Sequence, residues 1–186
     1  MRTVKRSERG VSNMEVGLIY FYTATINGWK HLMKADAVKS MVIDSLYNLW
    51  HRQLINVYGF VIMPNHIHLI WQMLQLNGRE RPQGSFLKYT AHTFKKYLKL
   101  NAPSKLDLYK IDASNKKYEF WQQEPFAFRL NRKGIALQKL EYIHCNPLQD
   151  HWRLCNRPED YKYSSARFYE TGIDEFGFMS HIMDAF

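Results

Sequence analysis

The chain has 186 residues, of which 46% are hydrophobic and 15% aromatic, and its formal net charge is +9. This composition favours one folded globular domain and excludes an intrinsically disordered chain. No apolar run approaches the ~20 residues that cross a bilayer, which excludes a membrane-spanning protein. The positive charge favours an anionic partner, with nucleic acid first and a membrane surface second, and solubility alone is the alternative.

The first half of the chain alternates between strand and helix patterns. Residues 1–14 are basic and predict a flexible arm. Aromatic and β-branched residues predict a strand over residues 18–26. Apolar residues at helical spacing then predict a helix over 35–54. Two strands follow, over 57–62 and 66–73, and the short segment between them predicts a tight turn.

The second half of the chain adds two helices and one strand. A second helix is predicted to run to about residue 100, with Ser85 as its N-cap. A strand is predicted within residues 119–130, and Pro125 places it at a sheet edge. A third helix over 135–146 stops before Pro147. This order predicts an α+β fold in which helices pack on a mainly antiparallel sheet.

We expect a single domain over residues 15–155, with an aromatic tail over 156–186 packed on it. The only cysteines are Cys145 and Cys155, which form no C-x-x-C motif. A chain without a disulfide framework fits a reducing cytoplasm.

Two histidines interrupt an apolar run in the segment "VIMPNHIHLIWQM", which spans residues 61–73. Residues two apart on a strand share a face, so His66 and His68 project together. The opposite face is the core side and carries Ile67, Leu69, Trp71 and Met73. Two imidazoles on one face suit a divalent ion, which needs at least one further protein ligand. The alternative is a structural pair hydrogen-bonded beneath a helix.

The third helix carries a tyrosine and an asparagine in "KLEYIHCNP". Tyr142 and Asn146 are four residues apart, so they lie one above the other on a helix. If this helix crosses the histidine face, Asn146 can complete a His–His–Asn site with Tyr142 beside it. Lys139 points to nearly the same side and could hold a phosphate. The alternatives are a core tyrosine, a helix-ending asparagine and a solvated lysine.

The positive charge is concentrated between residues 79 and 133, where thirteen Lys or Arg face five Asp or Glu. This window supplies +8 of the overall charge. On the predicted second helix, one face is cationic and would contact phosphates through Lys88, His92, Lys95, Lys96 and Lys99. The alternative is an ordinary solvated helix face.

Four segments together resemble one protein family. In order, "MPNHIHLIW", "FWQQEP", "LEYIHCNP" and "EDYKYSSARFYETG" resemble the REP-associated tyrosine transposases. These are bacterial relatives of the single-tyrosine transposases in the HUH endonuclease superfamily, in which HUH denotes His, hydrophobe, His. The resemblance extends over about residues 18–178.

The resemblance implies a ferredoxin-like fold with an antiparallel sheet and helices packed on it. It also implies that His66, His68 and Asn146 bind a metal ion and that Tyr142 is the nucleophile, forming a 5′-phosphotyrosine. Mg²⁺ or Mn²⁺ suits such ligands. The implied partner is single-stranded or hairpin DNA from palindromic repeats, in a bacterial, nucleoid-associated protein of the cytoplasm.

Three other functions remain open from the sequence. One is a catalytically inactive DNA-binding protein of the same fold. Another is an RNA-binding module, because "YGFVIM" partly matches an RNA-recognition motif. The third is a plasmid replication or mobilisation nickase with similar chemistry. Whether the chain is a monomer or a homodimer is also open.

Overall fold

The computed structural model describes residues 14–112 and 117–186. Within them, four strands and five α-helices follow the chain. The strands are β1 (Ile19–Thr25), β2 (Ile55–Ile62), β3 (His66–Met73) and β4 (Phe126–Arg129). The helices are α1 (Asp36–His51), α2 (Pro82–Asn101), α3 (Pro103–Leu106), α4 (Lys133–His144) and α5 (Ala166–Thr171). The basic arm predicted over residues 1–14 lies outside the described residues except for Met14, which is fully buried.

The four strands form one sheet in the order β2-β3-β1-β4, and every pairing is antiparallel. The predicted α+β fold, with an antiparallel sheet and helices packed on it, is therefore confirmed. The short strand β4 follows Pro125 and occupies an edge, as the proline indicates.

Helices cover both faces of the sheet. On one face, Ile67, Leu69 and Trp71 of β3 belong to the larger core, together with the buried faces of α1 and α2. On the other face, Ile70 of β3 packs in a smaller core with α4. An RNA-recognition sheet leaves its aromatic face open to bases. With both faces covered, the structure does not support the RNA-recognition alternative.

Helix α4 lies unusually close to the sheet because β2 has a glycine beneath it. A Cβ added at Gly59 would stand 2.6 Å from Cδ1 of Leu140 and 3.2 Å from Cδ1 of Ile143. Both distances are shorter than ordinary carbon contacts. The absent side chain at position 59 therefore sets how near α4, which carries Tyr142, comes to β3.

Helix α2 begins earlier than predicted. Its N-cap is Arg81, which forms no side-chain cap, and Pro82 takes the first helical position. Proline favours that position because its fixed φ suits the first turn, where the missing N–H has no helical partner. The prediction of Ser85 as N-cap is wrong: its Oγ donates to Oε2 of Glu80 at 3.1 Å from inside the helix.

The C-terminal residues run along the outer edge of β2. The amide of Ile62 donates to the carbonyl oxygen of Tyr163, and the amide of Ser165 donates to that of Phe60, each at 2.9 Å. Further along, the amide of Ser180 donates to the carbonyl oxygen of Val57 at 2.9 Å. These hydrogen bonds satisfy backbone groups that an edge strand otherwise exposes.

Candidate active site

The two histidines of β3 lie next to each other on the face of the sheet that α4 covers. Their ring centroids are 4.7 Å apart, and the side chains of His66 and His68 are 8% and 6% exposed. Phe21 of β1 stacks on His68 with centroids 5.3 Å apart. The pair is therefore held in place by its neighbours, on the face that the alternation of residues along β3 predicts.

Hydrogen bonds at the Nδ1 atoms orient both imidazoles. Asn65 donates through Nδ2 to the carbonyl oxygen of Trp29 at 3.3 Å, so its Oδ1 accepts from Nδ1 of His66 at 2.7 Å. The proton of neutral His66 therefore lies on Nδ1, and its Nε2 carries the lone pair. Oγ1 of Thr23 lies 2.7 Å from Nδ1 of His68 and can accept in the same way. Such partners fix the tautomer and orientation of metal-binding histidines.

Helix α4 brings Tyr142 to this pair. The tyrosine ring lies 5.4 Å from the ring of His68 and 6.1 Å from that of Phe21, measured between centroids. Its side chain is 49% exposed, so one side of the ring is accessible to a substrate. The ring of Tyr142 is thus held in place by contacts on one side and is accessible to solvent on the other.

Asn146 lies just beyond the end of α4. The helix ends at His144, and Asn146 begins a 3₁₀ turn, Asn146–Leu148, in which Pro147 is buried. The asparagine side chain is also buried and forms a hydrogen bond with His66. The structure therefore brings together all four residues of the predicted His–His–Asn–Tyr constellation.

Both imidazoles are neutral at neutral pH. Burial lowers the pKa of His66 to about 4; nearby His151 acts in the same direction and the hydrogen bond with Asn146 opposes it. Burial lowers the pKa of His68 to about 3, with further contributions from His66 and Lys139. Neutral imidazole is the form of histidine that binds metal ions.

The donor set fits a divalent ion of the Mg²⁺ or Mn²⁺ kind. Among the described residues, no cluster of three His, Cys, Asp or Glu side chains could hold a metal. Two Nε2 atoms and the carboxamide oxygen of Asn146 are a mixed nitrogen and oxygen set, which Mn²⁺ accepts and which leaves positions for phosphate oxygens. No thiolate contributes, so the site does not resemble a closed structural zinc site.

The fold itself matches a solved structure. No protein-family model and no curated protein sequence matches the chain. Among the matching solved structures is a REP-associated tyrosine transposase bound to a REP hairpin. It shares 16% sequence identity with this chain, has a TM-score of 0.58, and the match covers 98% of this chain and 93% of the other. This chain has the fold of a REP-associated tyrosine transposase.

The residues predicted to contact DNA lie on two helices, α2 and α4, which pack on opposite faces of the sheet. The cationic residues of α2 are all exposed, but α2 packs on the face of the sheet opposite the histidines. These residues are Lys88, His92, Lys95, Lys96 and Lys99. Lys88 also forms an ion pair with Glu80 at 2.6 Å. Lys139 lies at the site instead, with Nζ 5.7 Å from the centroid of the Tyr142 ring.

Sequence reasoning did not identify the side chains that support the candidate site. Thr23 and Asn65 hold the imidazoles, and the Trp152 ring lies 6.1 Å from that of His66. The position of Asn65 directly before His66 was a usable signal, because a short polar side chain there can reach the ring. Thr23 and Trp152 are distant in sequence, and only the fold brings them close.

No helix in the described part of the chain is both long enough and apolar enough to span a membrane.

Proposed function

We propose that this protein cleaves and rejoins DNA strands, with Tyr142 as nucleophile and single-stranded or hairpin DNA as substrate. The observation that carries the proposal is the convergence of a half-exposed tyrosine ring with two buried, neutral, oriented imidazoles. A merely structural tyrosine has no need of such neighbours. The shared fold of a transposase bound to a REP hairpin supports the choice of substrate.

The chemistry is a transesterification at phosphorus. The Tyr142 oxygen attacks the scissile phosphate and loses its proton as a new O–P bond forms. The bond from phosphorus to the 3′ oxygen breaks, and that oxygen takes up a proton to become a 3′-OH. The products are a 5′-phosphotyrosine and a free 3′ end. Because one phosphoester replaces another, a second 3′-OH can reverse the step without an external energy source.

His66, His68 and Asn146 would hold the divalent ion beside this phosphate. When bound, the ion supplies charge neutralisation at the non-bridging oxygens. Lys139 adds a positive charge beside the Tyr142 ring, which attracts the anionic phosphate of the substrate. Thr23 and Asn65 keep the imidazoles in the metal-binding tautomer.

The decisive experiment detects the covalent intermediate. A single-stranded DNA hairpin is incubated with the protein and Mn²⁺ or Mg²⁺ and run on a denaturing gel. A label at the 3′ end should migrate with the protein, whereas a label at the 5′ end should appear on a shorter free strand. Tyr142→Phe keeps the ring but removes the oxygen, so it should abolish the adduct and leave hairpin affinity within about twofold.

The matched control is Tyr89→Phe, which removes the hydroxyl of an exposed tyrosine on α2. This variant should form the adduct at the parental rate. An adduct that persists in the Tyr142→Phe protein would exclude Tyr142 as the nucleophile. Specific hairpin binding without any adduct in the parent protein would favour the catalytically inactive alternative.

A further inference from the structure

One aromatic ring of the sheet contacts three side chains of the candidate active site. Phe21 of β1 is almost fully buried in the smaller core, on the face that α4 covers. Its ring stacks on that of His68 and meets that of Tyr142 edge-on, with centroids 5.3 and 6.1 Å apart. Nζ of Lys139 lies 5.0 Å from the same centroid. Phe21 therefore adjoins a candidate metal ligand, the candidate nucleophile and a cation.

The register of the sheet places Phe21 at this point. Residues two apart on a strand share a face, so Phe21 and Thr23 project from β1 together. The pairing of β1 with β3 sets Thr23 opposite His68 and Phe21 opposite Ile70. Thr23 reaches Nδ1 of His68 at 2.7 Å, and Phe21 covers the imidazole ring. One short stretch of β1 thus supports His68 through a hydrogen bond and through stacking.

Lys139 lies in a corner formed by two rings. Lys139 and Tyr142 are three residues apart on α4, so they are neighbours on its surface. The ammonium is 5.0 Å from the centroid of Phe21 and 5.7 Å from that of Tyr142, within the ~6 Å over which a ring face attracts a cation. The two rings stand at 71° to each other. We call the pair Phe21 and Tyr142 the aromatic corner.

The aromatic corner takes the place of a counter-ion. Lys139 is partly buried, and no carboxylate in the described ranges forms an ion pair with it. Its charge acts on the site, because it contributes to the lowered pKa of His68. A lysine has a flexible four-carbon stem, so an ammonium without a partner would occupy many positions in solvent. Attraction to two ring faces restricts it to one.

We propose that Phe21 is a positioning residue, whose ring holds the ammonium of Lys139 beside Tyr142, where this charge meets the scissile phosphate. Phe21 itself contacts no substrate and acts through Lys139. An aliphatic side chain of similar size would fill the same space in the core but has no negative ring face. The alternative is that Phe21 only fills the core. The assignment rests on the proposed function, since it concerns the step at Tyr142.

Fluorinated phenylalanines at position 21 separate the charge of the ring from its shape. Each added fluorine withdraws electrons from the ring face and changes the volume little. Incorporation of phenylalanine with one, two or three ring fluorines should lower the single-turnover rate of adduct formation stepwise, by about threefold to tenfold in total. Hairpin affinity, measured by fluorescence anisotropy, should stay within about twofold. In the Lys139→Gln protein the same series should leave the rate unchanged, because the cation is absent.

The matched control carries the same fluorinated residues at position 128. Phe128 lies opposite Phe21 on β4, and within the described ranges no ring or cation contact joins it to Lys139 or Tyr142. Its fluorination should not change the rate. A second measurement follows the proton resonances at Cε of Lys139. Ring currents should shift them upfield in the parent protein, and Phe21→Leu should reverse most of the shift.

Two results would overturn the assignment while the proposed function stands. One is an adduct rate that does not vary with fluorination at position 21. The other is a rate that varies equally in the parent and Lys139→Gln proteins, since Phe21 would then only fill the core. If the parent protein forms no adduct, the proposed function fails, and the role of Phe21 in the reaction fails with it whatever the Lys139 resonances show.

Discussion

Oδ1 of Asn65 lies 2.7 Å from Nδ1 of His66, and this contact determines which nitrogen of the ring can bind a metal ion. Asn65→Ala removes the acceptor and allows the Nε2 tautomer. Partners of this kind are worth about 10–100-fold in metal affinity. We therefore expect Asn65→Ala to lower the Mn²⁺ affinity, measured by electron paramagnetic resonance titration, by about 10–100-fold.

Asn56→Ala is the matched control, because Asn56 hydrogen-bonds Gln72 at the other end of β3. Its Mn²⁺ affinity should equal that of the parent protein. Thr23→Val, which keeps the shape of the side chain and removes the hydroxyl beside His68, should reproduce the Asn65→Ala loss. Parental affinity in both site variants would contradict the proposed role of Nδ1 partners.

The glycine beneath α4 gives a second prediction. Gly59→Ala places a methyl group against Leu140 and Ile143, so α4 must shift or the leucine must change rotamer. We expect a loss of about 1–3 kcal/mol in the free energy of unfolding, as for other overpacked sites. The adduct yield should fall as well, because α4 carries Tyr142. Urea unfolding and the denaturing-gel assay measure the two effects.

Two further variants separate crowding from other causes. Gly134 lies on α4 itself, where a new Cβ meets nothing within 4 Å. Gly134→Ala should therefore leave the adduct yield unchanged. Leu140→Ala in the Gly59→Ala background should cost less than the sum of the single variants, since the truncation at 140 makes room for the new methyl group and that methyl group fills part of the cavity. Strict additivity would show that the contact with Leu140 is not the reason for the glycine.

Stability should depend on pH through the buried histidines. Burial lowers the pKa of His144 to about 4, and its Nε2 lies 2.8 Å from Oγ of Ser165. The unfolded chain binds a proton at this residue below about pH 6.5, where the folded protein does not. The folded state therefore loses stability as pH falls from about 6.5 to 4, by up to about 3 kcal/mol for this residue.

Urea unfolding at about pH 7.5 and about pH 5, with a chelator present, checks this dependence. His144→Gln should reduce the difference between the two pH values but not abolish it, since His66 and His68 act in the same direction. His51→Gln, at the exposed end of α1, should leave the difference unchanged. Equal differences in the parent and His144→Gln proteins would contradict the linkage.

Substitutions of the α2 lysines and of Lys139 on α4 should have different effects, the first on DNA binding and the second on catalysis. Lys96→Gln with Lys99→Gln, on α2, should weaken hairpin binding and reduce its salt dependence, without changing the rate of adduct formation at saturating DNA. Lys139→Gln, beside Tyr142, should lower that saturated rate with little effect on affinity. Fluorescence anisotropy and single-turnover gels give the two quantities. A reversed pattern would contradict this division.

Local patterns were sufficient for much of the fold and for the main residues of the site. Strand alternation predicted the shared face of His66 and His68. The predicted helix over 135–146 included Asn146, but α4 ends at His144, so Asn146 reaches the site from a 3₁₀ turn and not through helical spacing. On α4 the buried side chains are Ala136, Leu140 and Ile143, whereas Leu137 is 40% exposed. Which side chains of this short helix are buried depends on how the helix is rotated against the sheet, and the local sequence pattern does not determine that rotation.

The remaining features depend on contacts between distant parts of the chain. The pairing of β1 with β3 brings Thr23 opposite His68, and no local pattern encodes that register. The same is true of the close approach at Gly59 and of the layer in which α2 lies. The metal-binding and catalytic roles of the site residues, and the domain boundaries, stay predictions.

The C-terminal residues that bond to β2 have a consequence for self-association. Each edge strand of a four-stranded sheet has unpaired backbone groups that can pair with a strand from a second molecule. Here residues 163–180 occupy one edge, along β2, and the other edge is formed by β4, which is only four residues long and is preceded by Pro125. Extending the sheet from the β2 edge would first require residues 163–180 to leave it, so we expect two copies to associate through side-chain contacts rather than through shared β-pairing.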